Sequence, residues 1–155
     1  MCFGLFLAIN KFKAECRRKR GKTVVRLLYS SVSEINSANE MDEIASILKT
    51  SIARNTGMGV TGALIYTGSH FAQALEGDDE RVEDLMTSIS ADRRHSQVTV
   101  VHQDHVAERR FASWHMAYRG PDTDLNRTVD ELVFGPNKEL AVQHMYEVMA
   151  EFAHP

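Results

Sequence analysis

An α+β fold is what this sequence predicts: a mixed five-stranded sheet with two helices on one face and a C-terminal helical cap. Three observations predict it. Short β-branched or aromatic runs alternate with longer segments of helical period, in the order β-α-β-β-α-β-β. Glycines punctuate the junctions at Gly57, Gly59, Gly68 and Gly135. A length of 155 residues, 43% of them hydrophobic and 25% charged, suits one globular domain with its own core.

The first strand runs from Val24 to Tyr29, a β-branched and leucine-rich segment bounded by Gly21 and by Ser30-Ser31. Asn36 or Ser37 caps a helix reaching to about Thr56, where Gly57 and Gly59 stop it. Met41, Ile44, Leu48 and Ile52 form its expected core stripe, and Ile47, Ser51 and Asn55 line up on an adjacent face. Val60–Thr67 and His70–Glu76 are strands joined by Gly68-Ser69, a two-residue loop with glycine first, as a type II′ hairpin prefers. Asp78 and Asp79 open a second helix at its positive end, with Val82, Leu85, Met86 and Ile89 as the buried side. Asp92-Arg93-Arg94-His95 ends it. A fourth strand follows over about Gln97–Gln103 and a fifth over about Phe111–Tyr118. Thr123–Phe134 and Asn137–Ala153 read as two helices parted by Gly135-Pro136, able to cover an open sheet face or make a subunit contact. The order is the split βαβ, ferredoxin-like plan, in which the first and third strands are central neighbours. Tyr29 and Gln73 can then meet.

Gln73 breaks the pattern of its strand. Alternation puts Phe71, Gln73 and Leu75 on one face, so a primary amide stands where an apolar side chain belongs. Left unsatisfied it would cost roughly 1–3 kcal/mol, so polar partners must lie over that face. Tyr29, Asn55, Trp114 and Met116 are the leads. An acceptor-rich planar ligand between the two helices could be held by Asn55 through its paired donor and acceptor and by Gln73, whose amide can present either atom.

Charge and motif content exclude several classes. The formal net charge of −3 divides into +6 over residues 1–22 and −9 over the rest, so the acidic body disfavours nucleic acid as its ligand. Residues 1–22 place an apolar run before their charges, the reverse of a secretory signal, and the run is too short to span a bilayer. They read as an extension outside the fold, a basic segment touching a membrane surface, or a segment packed on the body or a second subunit. Cys2 and Cys16 both precede the first strand, which leaves no disulfide framework or CxxC site for the body and fits a reducing, cytoplasmic setting. His102 and His105 have HxxH spacing, but on a strand they point to opposite faces, so no metal site is expected. GxSxG, P-loop and HExxH motifs are absent.

Five blocks carry a family resemblance: Arg26-Leu27-Leu28-Tyr29-Ser30-Ser31; Arg54-Asn55 before Gly59-Val60-Thr61-Gly62; Phe71-x-Gln73-x-Leu75-Glu76-Gly77; Asp92-x-Arg94-His95; and Arg110-Phe111-x-x-Trp114-x-Met116. In this order and with these gaps, residues 24–119 resemble the BLUF family, the blue-light sensors that use a flavin. The resemblance implies a basic extension over 1–22, a flavin-binding domain over 23–120 and C-terminal helices over 121–155. It makes Tyr29 the electron and proton donor to the excited flavin and Gln73 the bridge whose amide rotates or tautomerises, which accounts for the family's small red shift. Asn55 matches the anchor of the ring's pyrimidine edge, Ile47 an aliphatic contact, and Asp92, Arg94 and His95 positions near the ribityl and phosphate region. Trp114 and Met116 match a fifth-strand pair that relays the change outward. The implied cofactor is FAD, with FMN or riboflavin as alternative occupants. Arg54 stands where many members have Asn or His, and Ser88 where Arg or Lys often contacts the flavin.

The expected function is a photoreceptor, not an enzyme, that signals to a separate partner protein and assembles as a homo-oligomer. Two alternatives are a regulatory module holding flavin or another small molecule without photochemistry, and an acylphosphatase-like hydrolase. The latter needs a glycine-rich phosphate loop with an arginine, and the turn after Tyr29 has neither.

Overall fold

The structure is a computed structural model that describes residues 24–121 and 123–153. The expectations for residues 1–22, including Cys2 and Cys16, fall outside the described residues. Strand β1 spans Val24–Ser33, helix α1 Glu40–Met58, β2 Thr61–Tyr66, β3 His70–Gly77, α2 Asp79–Ser90, β4 His95–Val106, β5 Ala117–Arg119, α3 Thr123–Phe134 and α4 Lys138–Ala153. The sheet order is β4-β1-β3-β2-β5, with β2 and β5 parallel and the other pairs antiparallel. This is the expected mixed ferredoxin-like sheet, with β1 and β3 side by side.

Alternation along the strands divides the core between two faces. Val25, Leu27, Tyr29 and Leu75 face α2, where Val82 and Leu85 are buried and Met86 and Ile89 pack against them. Leu64, Tyr66 and Phe71 continue that face under α1, against Ile44 and Ile47. Leu28, Ala63, Ile65, Ala72 and Ala74 face the other way and are covered by Leu125, Val129 and Leu132 of α3 and Ala141, Met145 and Met149 of α4. The two C-terminal helices therefore close the open side of the sheet. Each large apolar side chain so buried contributes about 1.5–3 kcal/mol.

Local chemistry sets the ends of the elements. Asn36 Oδ1 accepts from the Ala38 amide at 2.9 Å and opens a short 3₁₀ turn, Ser37–Asn39, that leads into α1. At the far end Gly59 takes φ +65°, its N–H donates to the Thr56 carbonyl, and the Val60 N–H donates to the Asn55 carbonyl at 2.9 Å. That paired closure is a Schellman cap, and only glycine adopts its backbone cheaply. Gly57 lies inside the helix and does not stop it. The β2–β3 loop has the expected form, with Gly68 at φ +89°.

Three further expectations need correction. The fifth strand does not span Phe111–Tyr118; it is confined to Ala117–Arg119. The amides of Arg110 and Phe111 donate to the Glu76 carboxylate and the Trp114 amide to the Phe111 carbonyl, so these groups close a turn instead of a ladder. Trp114, His115 and Met116 thus precede the strand. On α1, Met41 is 86% and Ile52 46% exposed, while Ile44, Ile47 and Asn55 are buried. The helix is rotated so that the stripe holding Asn55 faces the sheet. Strand β4 is longer than expected and irregular, with register shifts against β1 between Leu28 and Tyr29 and between Ser30 and Val32.

Candidate functional site

A narrow cleft lies between the sheet and the two helices α1 and α2. Register fixes its floor: Tyr29 of β1 and Gln73 of β3 are direct antiparallel partners, both pointing to the helix side. The Tyr29 hydroxyl donates to Gln73 Oε1 at 2.5 Å, and Gln73 Nε2 donates to Met116 Sδ at 3.4 Å. The amide that broke the strand pattern is therefore held at both ends, on the sulfur side by a weak acceptor. Burial pushes the Tyr29 hydroxyl pKa well above its ordinary value, with the Asp92 charge adding to the effect, so Tyr29 keeps its proton at neutral pH.

Asn55 forms the end wall. It is fully buried in the last turns of α1, positioned by the Schellman cap that uses its own carbonyl. Its Nδ2 donates to the His115 carbonyl at 2.6 Å, which ties α1 to the segment before β5. Its Oδ1 is buried and has no partner. An acceptor so placed calls for a donor from within the cleft, because leaving it unmet costs about 1–3 kcal/mol. Ile47 lies two turns earlier on the same face, and Leu64, Leu85 and Ile89 complete apolar walls.

The cleft's other end is charged. Arg94 forms a bidentate pair with Asp92, with Nη2 to Oδ2 at 2.6 Å and Nε to Oδ1 at 2.9 Å, and reaches Glu43 of α1 at 3.5 Å. The α2–β4 turn is thereby strapped to α1. The Arg94 contacts hold the Asp92 carboxyl down at about 2, and Asp92 in turn raises Arg94. His95 Nδ1 lies 2.9 Å from Ser31 Oγ, its ring packs tilted against Phe71 with centroids 4.4 Å apart, and burial lowers its pKa. Arg54 lines the cleft with an exposed side chain and, among the described residues, has no carboxylate partner. Ser88 Oγ donates back to the Asp84 carbonyl of its own helix at 3.2 Å.

Tyr29, Ile47, Asn55, Gln73, Asp92, Arg94 and His95, far apart in sequence, all line this one cleft. Met116 reaches it through Gln73, whereas Trp114 is half-buried against the core under α3 and α4 and gives its carbonyl to the Gly62 amide. The sequence reading missed the His115 carbonyl, a main-chain acceptor that no residue type announces. It also read Leu85 and Ile89 only as core, though both touch the cleft. His102 and His105 part to separate partners, the Tyr146 hydroxyl at 3.2 Å and Asp79 at 2.8 Å. No cluster of metal-ligating side chains occurs among the described residues, and none of their helices is long and apolar enough to cross a membrane.

The family described as sensors of blue-light using FAD, BLUF, matches residues 24–117. Photoactivated adenylate cyclase subunit alpha of Euglena gracilis is 34% identical over 91 residues, which are 59% of this chain and 9% of that protein. The blue light- and temperature-regulated antirepressor BluF of Escherichia coli (strain K12) is 35% identical over 86 residues, or 55% of this chain and 21% of that protein. The matched stretch thus spans under a tenth of the cyclase subunit and about a fifth of the antirepressor. Among solved structures, BlrB, a BLUF protein in its dark state, superimposes with a TM-score of 0.71 at 29% identity, covering 83% of this chain and 96% of BlrB. With more than half of its length matched and its fold shared with BlrB, the chain belongs to the BLUF family of flavin-binding blue-light sensors.

Proposed function

We propose that this protein senses blue light through a flavin, FAD in preference to FMN or riboflavin, seated in the α1–α2 cleft, and that the Tyr29–Gln73–Met116 hydrogen-bond chain is its switch. The observation that carries the reading is the Gln73 amide suspended between a strong donor and a weak acceptor on the cleft floor. A flavin, when bound, supplies the absorption of blue light and a ring edge rich in hydrogen-bond acceptors.

The residues present fit that group. Asn55 Oδ1, buried and unmet, suits a ring N–H, and Ile47, Leu64, Leu85 and Ile89 offer apolar walls to a planar ring. Arg54, next to Asn55 on α1, lines the cleft with a guanidinium free to meet a phosphate, which favours FAD or FMN over riboflavin. Arg94 and His95 line the charged end, and Asp92 holds Arg94 in place.

Gln73 is suited to two states. With Oε1 toward Tyr29, that oxygen accepts from the Tyr29 hydroxyl and Nε2 donates to Met116. Rotating the amide by half a turn turns a donor toward Tyr29 and sets Oε1 against the Met116 sulfur, two acceptors facing one another. Met116 must then give way. The rearrangement is thereby converted into movement of the segment before β5, toward Trp114.

The signal is read by a separate partner protein or by a second copy of the chain in a homo-oligomer, and the domain itself performs no catalysis. Nucleic acid is not its direct ligand, given the acidic body, and a cytoplasmic setting accords with cysteines placed only before β1. The purified protein is expected to be yellow and to show a reversible red shift in blue light. Tyr29→Phe and Gln73→Leu should both retain flavin and lose the red-shifted state. An unchanged photoresponse in either variant refutes the switch, and a flavin-loaded wild type without photoresponse would return the protein to a non-photochemical flavin module.

A further inference from the structure

Glu76 has no part in the cleft, yet it is the most completely enclosed carboxylate among the described residues, with no exposed surface. It lies three residues after Gln73 on β3, so the strand turns it to the opposite face, toward α4. Its Oε1 accepts from the Arg110 amide and its Oε2 from the Phe111 amide, each at 2.9 Å. Arg26, its register partner on β1, approaches at 4.0 Å. The guanidinium of Arg26 stands 5.0 Å over the ring of Tyr146 on α4, and that of Arg110 stands 5.7 Å from the same ring. A buried charge with this many specific contacts is expensive to misplace, so the main chain at 110–111 is firmly held.

The segment between Glu76's grip and β5 is short. Within it the His115 carbonyl is bound by Asn55, the Trp114 carbonyl by the Gly62 amide, and Met116 by Gln73. One end thus answers to the cleft and the other to Glu76. We infer that Glu76 is a positioning residue that makes the Arg110–Phe111 turn the pivot about which this segment swings, so that displacement at Met116 turns the Arg110 side chain against Tyr146 of α4, while Arg26 stays paired with Asp104 of β4 at 3.4 Å. This rests on the reading of Gln73 as the light switch. Without the pivot, the segment would absorb the displacement within itself and α4 would stay as it is in the dark.

The test is hydrogen exchange of the full-length, flavin-loaded chain in dark and in light, with the absorption red shift recorded on the same samples. In wild type, light is expected to change exchange in both residues 107–116 and α4. Glu76→Gln should keep the red shift and the change at 107–116 while the light-dependent change in α4 falls by about threefold or more. Tyr146→Leu leaves the carboxylate intact and breaks the path at its other end, so it should give the same split even if Glu76→Gln does not fold. A purely structural role would lower thermal stability without separating the two light responses. A full α4 response in either folded variant, or none in a wild type that shows the red shift, overturns the pivot alone. A wild type with no red shift overturns the switch reading together with it.

Discussion

Gln73 and Asn55 are two primary amides buried on one cleft, and they differ in what they lack. Gln73 has a protein partner at each end, so its occupancy of an apolar strand position is explained within the chain. Asn55 has one partner, the His115 carbonyl, and an oxygen that nothing in the protein meets. On the proposed reading the first changes partners and the second receives one. Asn55→Ala should therefore weaken flavin binding by about 5- to 150-fold, the equivalent of one unmet buried hydrogen bond at roughly 1–3 kcal/mol. Titrating the flavin-free protein with FAD, FMN and riboflavin measures it, and an affinity equal to wild type for all three removes Asn55 from the binding wall. The amides were legible in the sequence because alternation and helical spacing assign each residue a face. Their partners were less so: Tyr29 followed from strand order, but the His115 carbonyl has no signature in a side chain.

Among the elements, the turn between α2 and β4 is secured by charge more than by packing. Arg94 binds Asp92 beside it and Glu43 on α1, which fixes the width of the cleft mouth. Because the folded Asp92 titrates at about 2, below the ordinary carboxyl value, its contribution is complete at neutral pH and is lost as pH falls toward 2. His95 acts in the same sense: burial lowers its pKa, so acid protonates the unfolded chain first and draws the equilibrium toward it. Asp92→Asn should thus melt below wild type at about pH 7, with the gap closing as both approach about pH 2; a gap that persists in strong acid would show that the carboxylate's charge is not what secures the turn. The strap's residue types were readable from Asp92-x-Arg94-His95, while its reach to Glu43 depends on the rotation of α1. That rotation was misjudged because Met41, Ile44, Leu48 and Ile52 and the Ile47–Asn55 line both have helical period, and only the demand of the cleft for Asn55 selects between them. The fifth strand was overextended for a related reason. Phe111 has the residue type of a strand, but Glu76 takes its amide, and Ala117 is the first residue to pair with β2.

At the scale of the molecule, the sheet separates two tasks. One face bears the cleft, and the other is closed by α3 and α4 through a core that includes Leu28, Ala72, Ala74, Leu132, Met145 and Met149. No residue of α4 lines the cleft. Stability and cofactor chemistry should then be separable by mutation on the capped side. Met149 is fully buried at the centre of that core, and Met149→Ala should cost about 2–5 kcal/mol of folding stability through lost contacts and the cavity left behind. The same variant should show the dark absorption spectrum and flavin affinity of wild type, because Tyr29, Asn55 and Gln73 keep their positions on the far side of β1 and β3. Denaturant unfolding and a flavin titration on one preparation measure both. A weakened fold with an unaltered spectrum is the expected outcome; loss of flavin in parallel with stability would mean that the cap shapes the cleft in the dark, and the sheet would then be a transmitter at rest as well as in light.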